Sequence, residues 1–119
     1  MGLFEVSVRL ANPEAPERAR EVTLLVDTGA TLSWVPRSLL QTLGIRPTSR
    51  LTFQLADGRR LERDVGGVLF TINGRTLPIP VAFGEPGEES VLGATALEAL
   101  GFIVDPVERK RVPRDLLAL

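Results

Sequence analysis

The stretch Leu24-Leu25-Val26-Asp27-Thr28-Gly29-Ala30-Thr31 constrains this chain more than any other. Three aliphatic residues that read as a buried strand run straight into an acid, a small hydroxyl residue and a glycine, so a carboxylate falls where the preceding residues are most hydrophobic. One explanation is local. Asp bonds its own backbone, Gly accepts positive φ, and together they make an ordinary surface turn. The other is chemical: the carboxylate is held at the strand's end for acid–base work beside a second one. Three common turn residues meet in many chains, so the rest of the sequence must decide between the two.

Composition narrows the chemistry. A chain of 119 residues is one domain's worth and can bury about 65% of its unfolded surface around one core, so a single domain over residues 1–119 is expected. With 44% hydrophobic and 24% charged residues and a net charge of −1, the chain offers no electrostatic case for binding nucleic acid or an anionic membrane. The basic residues are nearly all Arg, with Lys110 the only Lys. The absence of Cys excludes disulfides, thiolate nucleophiles and Cys-ligated metals. The absence of His removes the commonest general base, serine-type triads and the favoured zinc ligand. Carboxylates remain as the side chains suited to acid–base work near neutral pH. The start, Met1-Gly2-Leu3-Phe4-Glu5-Val6, lacks a basic region followed by an apolar core, and Val6 stands where a myristoylation signal wants Ser or Thr. No apolar run approaches 18 residues, so a soluble, cytoplasmic protein is expected.

Along the chain the period is mostly two. Phe4, Val6, Val8 and Leu10 alternate with polar residues, Asn12-Pro13-Glu14-Ala15-Pro16 breaks the pattern, and Glu21 to Val26 returns as a second strand. Leu32 to Val35 reads as a short strand. Pro36 can open a helix of about two turns with Leu39, Leu40 and Leu43 inside, and Gly44 is its left-handed cap. Leu51, Phe53 and Leu55 begin a hairpin arm that turns at Asp57-Gly58 and runs back from Arg59 to Val65. Its return side is polar, so the arm packs weakly and suits a mobile element over a cleft. Gly66-Gly67 interrupts, and Val68 to Ile72 and Thr76 to Phe83 form a further hairpin around Asn73-Gly74. After a polar loop at 84–89, a strand ends at Gly93 and a helix follows. Thr95 and Glu98 have the spacing of a capping box, Leu97 and Leu100 face inward, and Gly101 caps. Phe102-Ile103-Val104, a turn from Asp105-Pro106 to Lys110 and a return at Arg111-Val112 close the pattern. The tail 114–119 is either a frayed end or a dimer-forming strand. No internal repeat is evident.

In this order the elements resemble the retropepsin-like aspartic proteases, single-lobed relatives of pepsin that work as homodimers, and in particular their bacterial members. The resemblance rests on the strand into Asp27-Thr28-Gly29-Ala30-Thr31, the arm turning at Asp57-Gly58, the signature Val91-Leu92-Gly93, and the helix Thr95 to Leu100 leading into Gly101-Phe102-Ile103-Val104-Asp105-Pro106. It covers roughly residues 4–113. It implies an all-β fold: a closed β-barrel of the acid-protease type with one short C-terminal helix and a flap hairpin. The flap would be Phe53, Gln54, Leu55, Ala56, Asp57, Gly58, Arg59 and Arg60, closing over an extended peptide. It further implies an aspartic endopeptidase acting on peptide or protein substrates, with no metal or organic cofactor and neither nucleic acid nor membrane as partner.

Under that resemblance Asp27 is catalytic, and Thr28, Gly29 and Ala30 form the active-site turn. Thr28 would bond across a two-fold axis, and Gly29 would admit substrate backbone. Serving the turn alone is compatible with both. Val91, Leu92 and Gly93 would support the site from beneath, although Gly93 also suits an ordinary strand-to-helix turn. One Asp-Thr-Gly occurs here; Asp57, Asp64, Asp105 and Asp115 lack its context and read as solvated. The second aspartate must then come from a second copy of the chain. Leu32, Val35, Phe53, Val91 and Leu92 are candidate cleft walls, subject to strand register, and Trp34 reads as core. The arm departs from the retroviral pattern in having Gly58 alone at its tip, and the chain has no Tyr for the pepsin-type flap. A non-catalytic peptide-binding or dimerisation module of the same fold is the alternative.

Overall fold

The computed structural model describes residues 5–105 and 110–113, the last eight of these (102–105 and 110–113) by their backbone alone. Alternation builds the first hairpin. Val6, Val8 and Leu10 are buried along β1 (Glu5–Asn12), which pairs antiparallel with β2 (Ala15–Val26) from Glu5↔Leu25 to Asn12↔Ala15. The turn is Pro13-Glu14 alone, shorter than the break expected through Pro16. Asn12 is the reason. Its buried side chain accepts the Glu14 N–H (2.8 Å) and donates to Leu43 O (2.9 Å), closing the turn and tying it to the first helix. The register slips between Ala11↔Ala19 and Asn12↔Ala15, leaving residues 16–18 without partners across the hairpin, so the N–H that Pro16 lacks costs no ladder bond.

β3 (Ser33–Pro36) leads into α1 (Arg37–Thr42), which Pro36 opens and Gly44 follows at φ 75°. The arm is β4 (Ser49–Gln54) against the first part of β5 (Arg60–Ile72), with Gly58 at φ 89° in the turn. Here the sequence reading needs correction: Gly66-Gly67 does not interrupt, and β5 runs unbroken from the arm into the body of the protein. Gly66 is buried where a Cβ would stand 2.9 Å from Arg46 O and 3.1 Å from the Phe83 ring, so glycine serves close packing there and ends no strand. β5 then pairs antiparallel with β6 (Arg75–Gly84) around Asn73 (φ 49°) and Gly74 (φ 79°), a left-handed two-residue turn.

β7 (Val91–Leu92) lies parallel to β2 and meets β3 at Trp34↔Val91, while β3 runs parallel to β6. The order β1-β2-β7-β3-β6-β5 returns to β1 through Leu10↔Phe70 and its neighbours, so the strands close into a ring from which β4 projects. The fold is all-β with two short helices, where the resemblance implied one. Leu10, Leu24, Phe70, Val81, Phe83 and Leu92 fill the interior with almost no exposure, each worth about 1.5–3 kcal/mol of burial. α2 (Ala94–Ala99) buries Ala96 and Leu97 and ends at Leu100 and Gly101 (φ 80°). β8 (Phe102–Asp105) and β9 (Lys110–Pro113) form a separate two-stranded sheet. Phe4, most of the turn after Asp105, and the tail 114–119 lie outside the described residues.

The two adjacent glycines of β5 make opposite predictions. Gly66→Ala should lower stability to chemical denaturation by about 1–3 kcal/mol through overpacking. Gly67→Ala, whose Cβ meets nothing within 4 Å, should be neutral or stabilise by about 0.5–1 kcal/mol.

Candidate active site

β2 carries Asp27 out of the core. Val26 is buried and Asp27 exposed, and the parallel ladder with β7 continues one step past the strand, Asp27 N–H donating to Leu92 O at 3.0 Å. The carboxylate then shapes its own turn: Oδ1 accepts the Gly29 N–H (2.9 Å), and Ala30 N–H donates to Asp27 O (3.2 Å). Oδ2 is engaged by no described residue. Gly29 leaves little room, since a Cβ there would come 3.2 Å from Asp27 Oδ1.

A second segment locks this turn from below. Ala94 N–H donates to Ala30 O (2.8 Å), Thr95 N–H to Thr31 O (3.0 Å) and Gly93 N–H to the buried Ser33 Oγ (2.9 Å). The expected capping box is therefore not used: Gly93 is the N-cap, no side chain caps α2, and the orphan amides of its first turn go to the carbonyls after Asp27. A Cβ on Gly93 would lie 2.6 Å from the Leu32 carbonyl and 2.8 Å from Ala30 O, so the approach requires glycine. Gly29-Ala30-Thr31 and Gly93-Ala94-Thr95 are the same tripeptide, and the structure sets them side by side. The sequence alone shows no longer internal repeat, and this tripeptide is the part of it that recurs.

Above the turn a cleft of about 740 Å³ opens between Asp27, Gly29 and Ala30 on one side and Phe53, Gln54, Leu55, Ala56 and Arg59 of the arm on the other. Thr28, Asp57, Gly58 and Arg60 are exposed nearby without forming its wall. Leu32, Phe53 and Val91 line it as expected. Val35 and Leu92 do not, because alternation turns them into the core. The same alternation corrects Trp34: with Val35 inside, Trp34 faces the cleft, half-buried, its ring 5.1 Å from that of Phe53 and tilted by 56°.

Charged residues tie the arm to the loop before β7. Arg63 grips Glu88 with two nitrogens (Nη2–Oε2 2.5 Å, Nε–Oε1 3.2 Å) and lies over Trp34 at 5.9 Å. Arg37 joins Asp64 and Glu85, each at 2.9 Å, and Arg50 adds a second contact to Asp64 at 3.0 Å. Asp64 is thus held between two guanidiniums, contrary to its reading as solvated, whereas exposed Asp57 pairs with Arg59 in the turn. The side chain of Asp105 and all of Asp115 lie outside the described residues. Hydrogen bonding to Arg37 above all holds Asp64 below its ordinary pKa, and hydrogen bonding to Arg63 does the same for Glu88. Among the described residues no three acidic side chains converge to hold a metal ion, and no helix is long and apolar enough to cross a membrane.

With this geometry in view, the comparisons with known proteins are specific. The family described as "Aspartyl protease" matches residues 6–106. Among solved structures the chain is similar to EIAV protease complexed with the inhibitor HBY-793, at 18% identity over 82% of this chain and 88% of that one (TM-score 0.62). It is similar to the protease of simian foamy virus (mac), at 20% identity over 80% and 94% (TM-score 0.52). A retropepsin-like aspartic protease from Rickettsia conorii matches at 19% identity over 87% and 86% (TM-score 0.52). At these identities the structures speak for the fold. No curated protein sequence matches.

The depressed carboxylates fix a sign. A carboxylate titrating lower when folded binds fewer protons than when unfolded, so its stabilisation is complete above the ordinary carboxylate pKa and is lost as pH falls through the folded one. Denaturant midpoints measured from pH 7 to 3 should therefore hold steady and then fall below about pH 4.5, the ordinary value for Glu88. Glu88→Gln should flatten part of that fall.

Proposed function

We propose that this chain, which belongs to the aspartyl protease family, is an endopeptidase whose active form is a homodimer. The observation that carries the reading is the exposed carboxylate of Asp27 on the floor of a cleft, held by its own Asp-Thr-Gly turn and facing a hairpin arm. One such turn per chain makes half a dyad, and a two-fold axis beside Asp27 would supply the other half. Two carboxylates about 3 Å apart cannot both ionise easily and share one proton. One then draws a proton from water while the other, still protonated, donates to the scissile carbonyl oxygen. Attack of that water on the carbonyl carbon and proton delivery to the leaving nitrogen break the peptide bond and yield an acid and an amine. The chemistry calls for neither metal nor organic cofactor.

Each remaining site residue takes a role in this reading. Thr28 bonds across the axis, Gly29 and Ala30 give the substrate backbone room, and the arm residues Phe53 to Arg60 pair with an extended peptide. Val91, Leu92 and Gly93 hold the turn in place from beneath. A second reading, a peptide-binding module that does not cut, draws on the arm, whose tip has one glycine and whose sequence departs from the retroviral flap.

Peptide-library cleavage between pH 3 and 9, at concentrations where the dimer has been verified, tests the two. Wild type should cleave on the acid side of neutrality and lose activity as both carboxylates ionise. Asp27→Asn should cut at least about 10²-fold more slowly. Full activity in Asp27→Asn, or a rate still climbing at pH 9, would refute the aspartic mechanism; binding without cleavage by a verified dimer would favour the second reading.

A further inference from the structure

The arm touches the protein body in an uneven way. At its tip the hydrogen bonds are internal: Leu55 N–H to Arg59 O, Gly58 N–H to Leu55 O, and Asp57 with Arg59. At its base, two successive residues of β5 are gripped on opposite faces by one loop. Arg63 goes directly to Glu88, and Asp64 is joined to Glu85 through the shared Arg37. The loop is itself pinned, because Glu88 Oε1 also accepts the Glu85 N–H at 2.7 Å. From that base a chain of contacts reaches into the cleft. Glu88 fixes the Arg63 guanidinium, Arg63 covers one aromatic surface, Trp34, and Trp34 meets Phe53, an arm residue that lines the cleft together with Asp27.

We propose that Glu88 and Arg63 are positioning residues for peptide capture: their ion pair sets the height of the arm by holding Phe53 against Trp34 above Asp27. Glu88 also borders the cleft, but the pair acts through the two rings and touches no reacting atom. Its geometry suits the task. A two-pronged guanidinium–carboxylate contact fixes orientation as well as distance, and both side chains are three-quarters or more buried, so water competes weakly for it. Losing either partner would leave the other charge without its forked contact at a half-dry interface, and the base of the arm would be the first part to move. Arg37 and Asp64 hold the opposite face, so the arm would stay attached yet lose its fixed height. The consequence falls on substrate binding, and hydrolysis of peptide already bound is little affected.

The inference rests on the peptidase reading for its KM arm, but direct binding tests it independently. Trp34 is the single tryptophan of the chain, so its emission reports on that ring's surroundings, and in Glu88→Gln, which keeps Arg63, on how Arg63 and Phe53 sit against it. In the full-length, verified dimer, Glu88→Gln and Arg63→Gln should each raise KM about tenfold and change kcat less than threefold, and both should shift Trp34 emission to the red. The double variant should be no worse than either single one, because the two act as a unit. Arg63→Lys, which keeps the charge and loses the fork, should fall between and covers the case in which a Gln variant does not fold. Peptide affinity measured with Asp27→Asn as background should drop by the same factor. Unchanged KM, affinity and Trp34 emission in the folded variants would overturn the proposal, as would a loss confined to kcat. If wild type binds peptide without cutting it, the peptidase reading fails while the affinity and emission arms still judge the clamp.

Discussion

The interlock between the Asp27 turn and the start of α2 is the constraint on which the site depends. Three amides of residues 93–95 are spent on Ala30 O, Thr31 O and Ser33 Oγ, and the contact is so close that only glycine fits at position 93. This exchange solves two problems at once. A six-residue helix too short to be stable alone gains partners for its first amides, and a loop that leaves the hydrophobic core gains a rigid base. The Asp27 carboxylate needs no buried salt bridge to stay in place, because its backbone is held by Leu92 and its own Oδ1 holds Gly29. Orientation comes from hydrogen bonds to the main chain, and the second carboxylate oxygen is left without a partner among the described residues.

Much of this was legible in the sequence. Period-two alternation found the strands, Asp57-Gly58 and Asn73-Gly74 found the turns, and the Leu-Gly pairs at 43–44 and 100–101 found where both helices stop. These signals are local, and local geometry decided them. Two of the differences share a cause, contacts between residues distant in sequence. Gly66-Gly67 looked like a break because a glycine pair usually is one; the reason for Gly66 lies in Arg46 and Phe83, which nothing nearby in sequence announces. The Thr95–Glu98 spacing matched a capping box, but the amides it would have served were already committed to the loop after Asp27. Trp34 reads as core, yet alternation with the buried Val35 turns it to the cleft, a consequence the sequence already carries.

The charged side chains were the least legible part. Which of the many arginines meets which acid depends on register across β4–β5 and on the path of the loop at 84–89, neither of which a charge pattern encodes. Even so, the preference for arginine over lysine has a visible use. Arg37 spans Asp64 and Glu85 together, and Arg63 both forks Glu88 and lies on Trp34; a single ammonium point charge does neither as well. Arginines also finish both helices, Arg18 donating to Thr42 O and Arg75 to Leu100 O, each at 2.9 Å.

The parallel pairing of β2 with β7 bears on when the protein becomes whole. Leu25 and Val91 are neighbours in the sheet although roughly 65 residues separate them in the chain, and such distant closures come after local hairpins in folding. The β1–β2, β4–β5 and β5–β6 hairpins can each form from chain already synthesised, since growth proceeds from the N-terminus. The aspartate turn can close early on its own hydrogen bonds, but it gains its support only when residues 91–95 leave the ribosome and dock beneath it. A nascent chain therefore carries the acid long before it carries the segment that supports it.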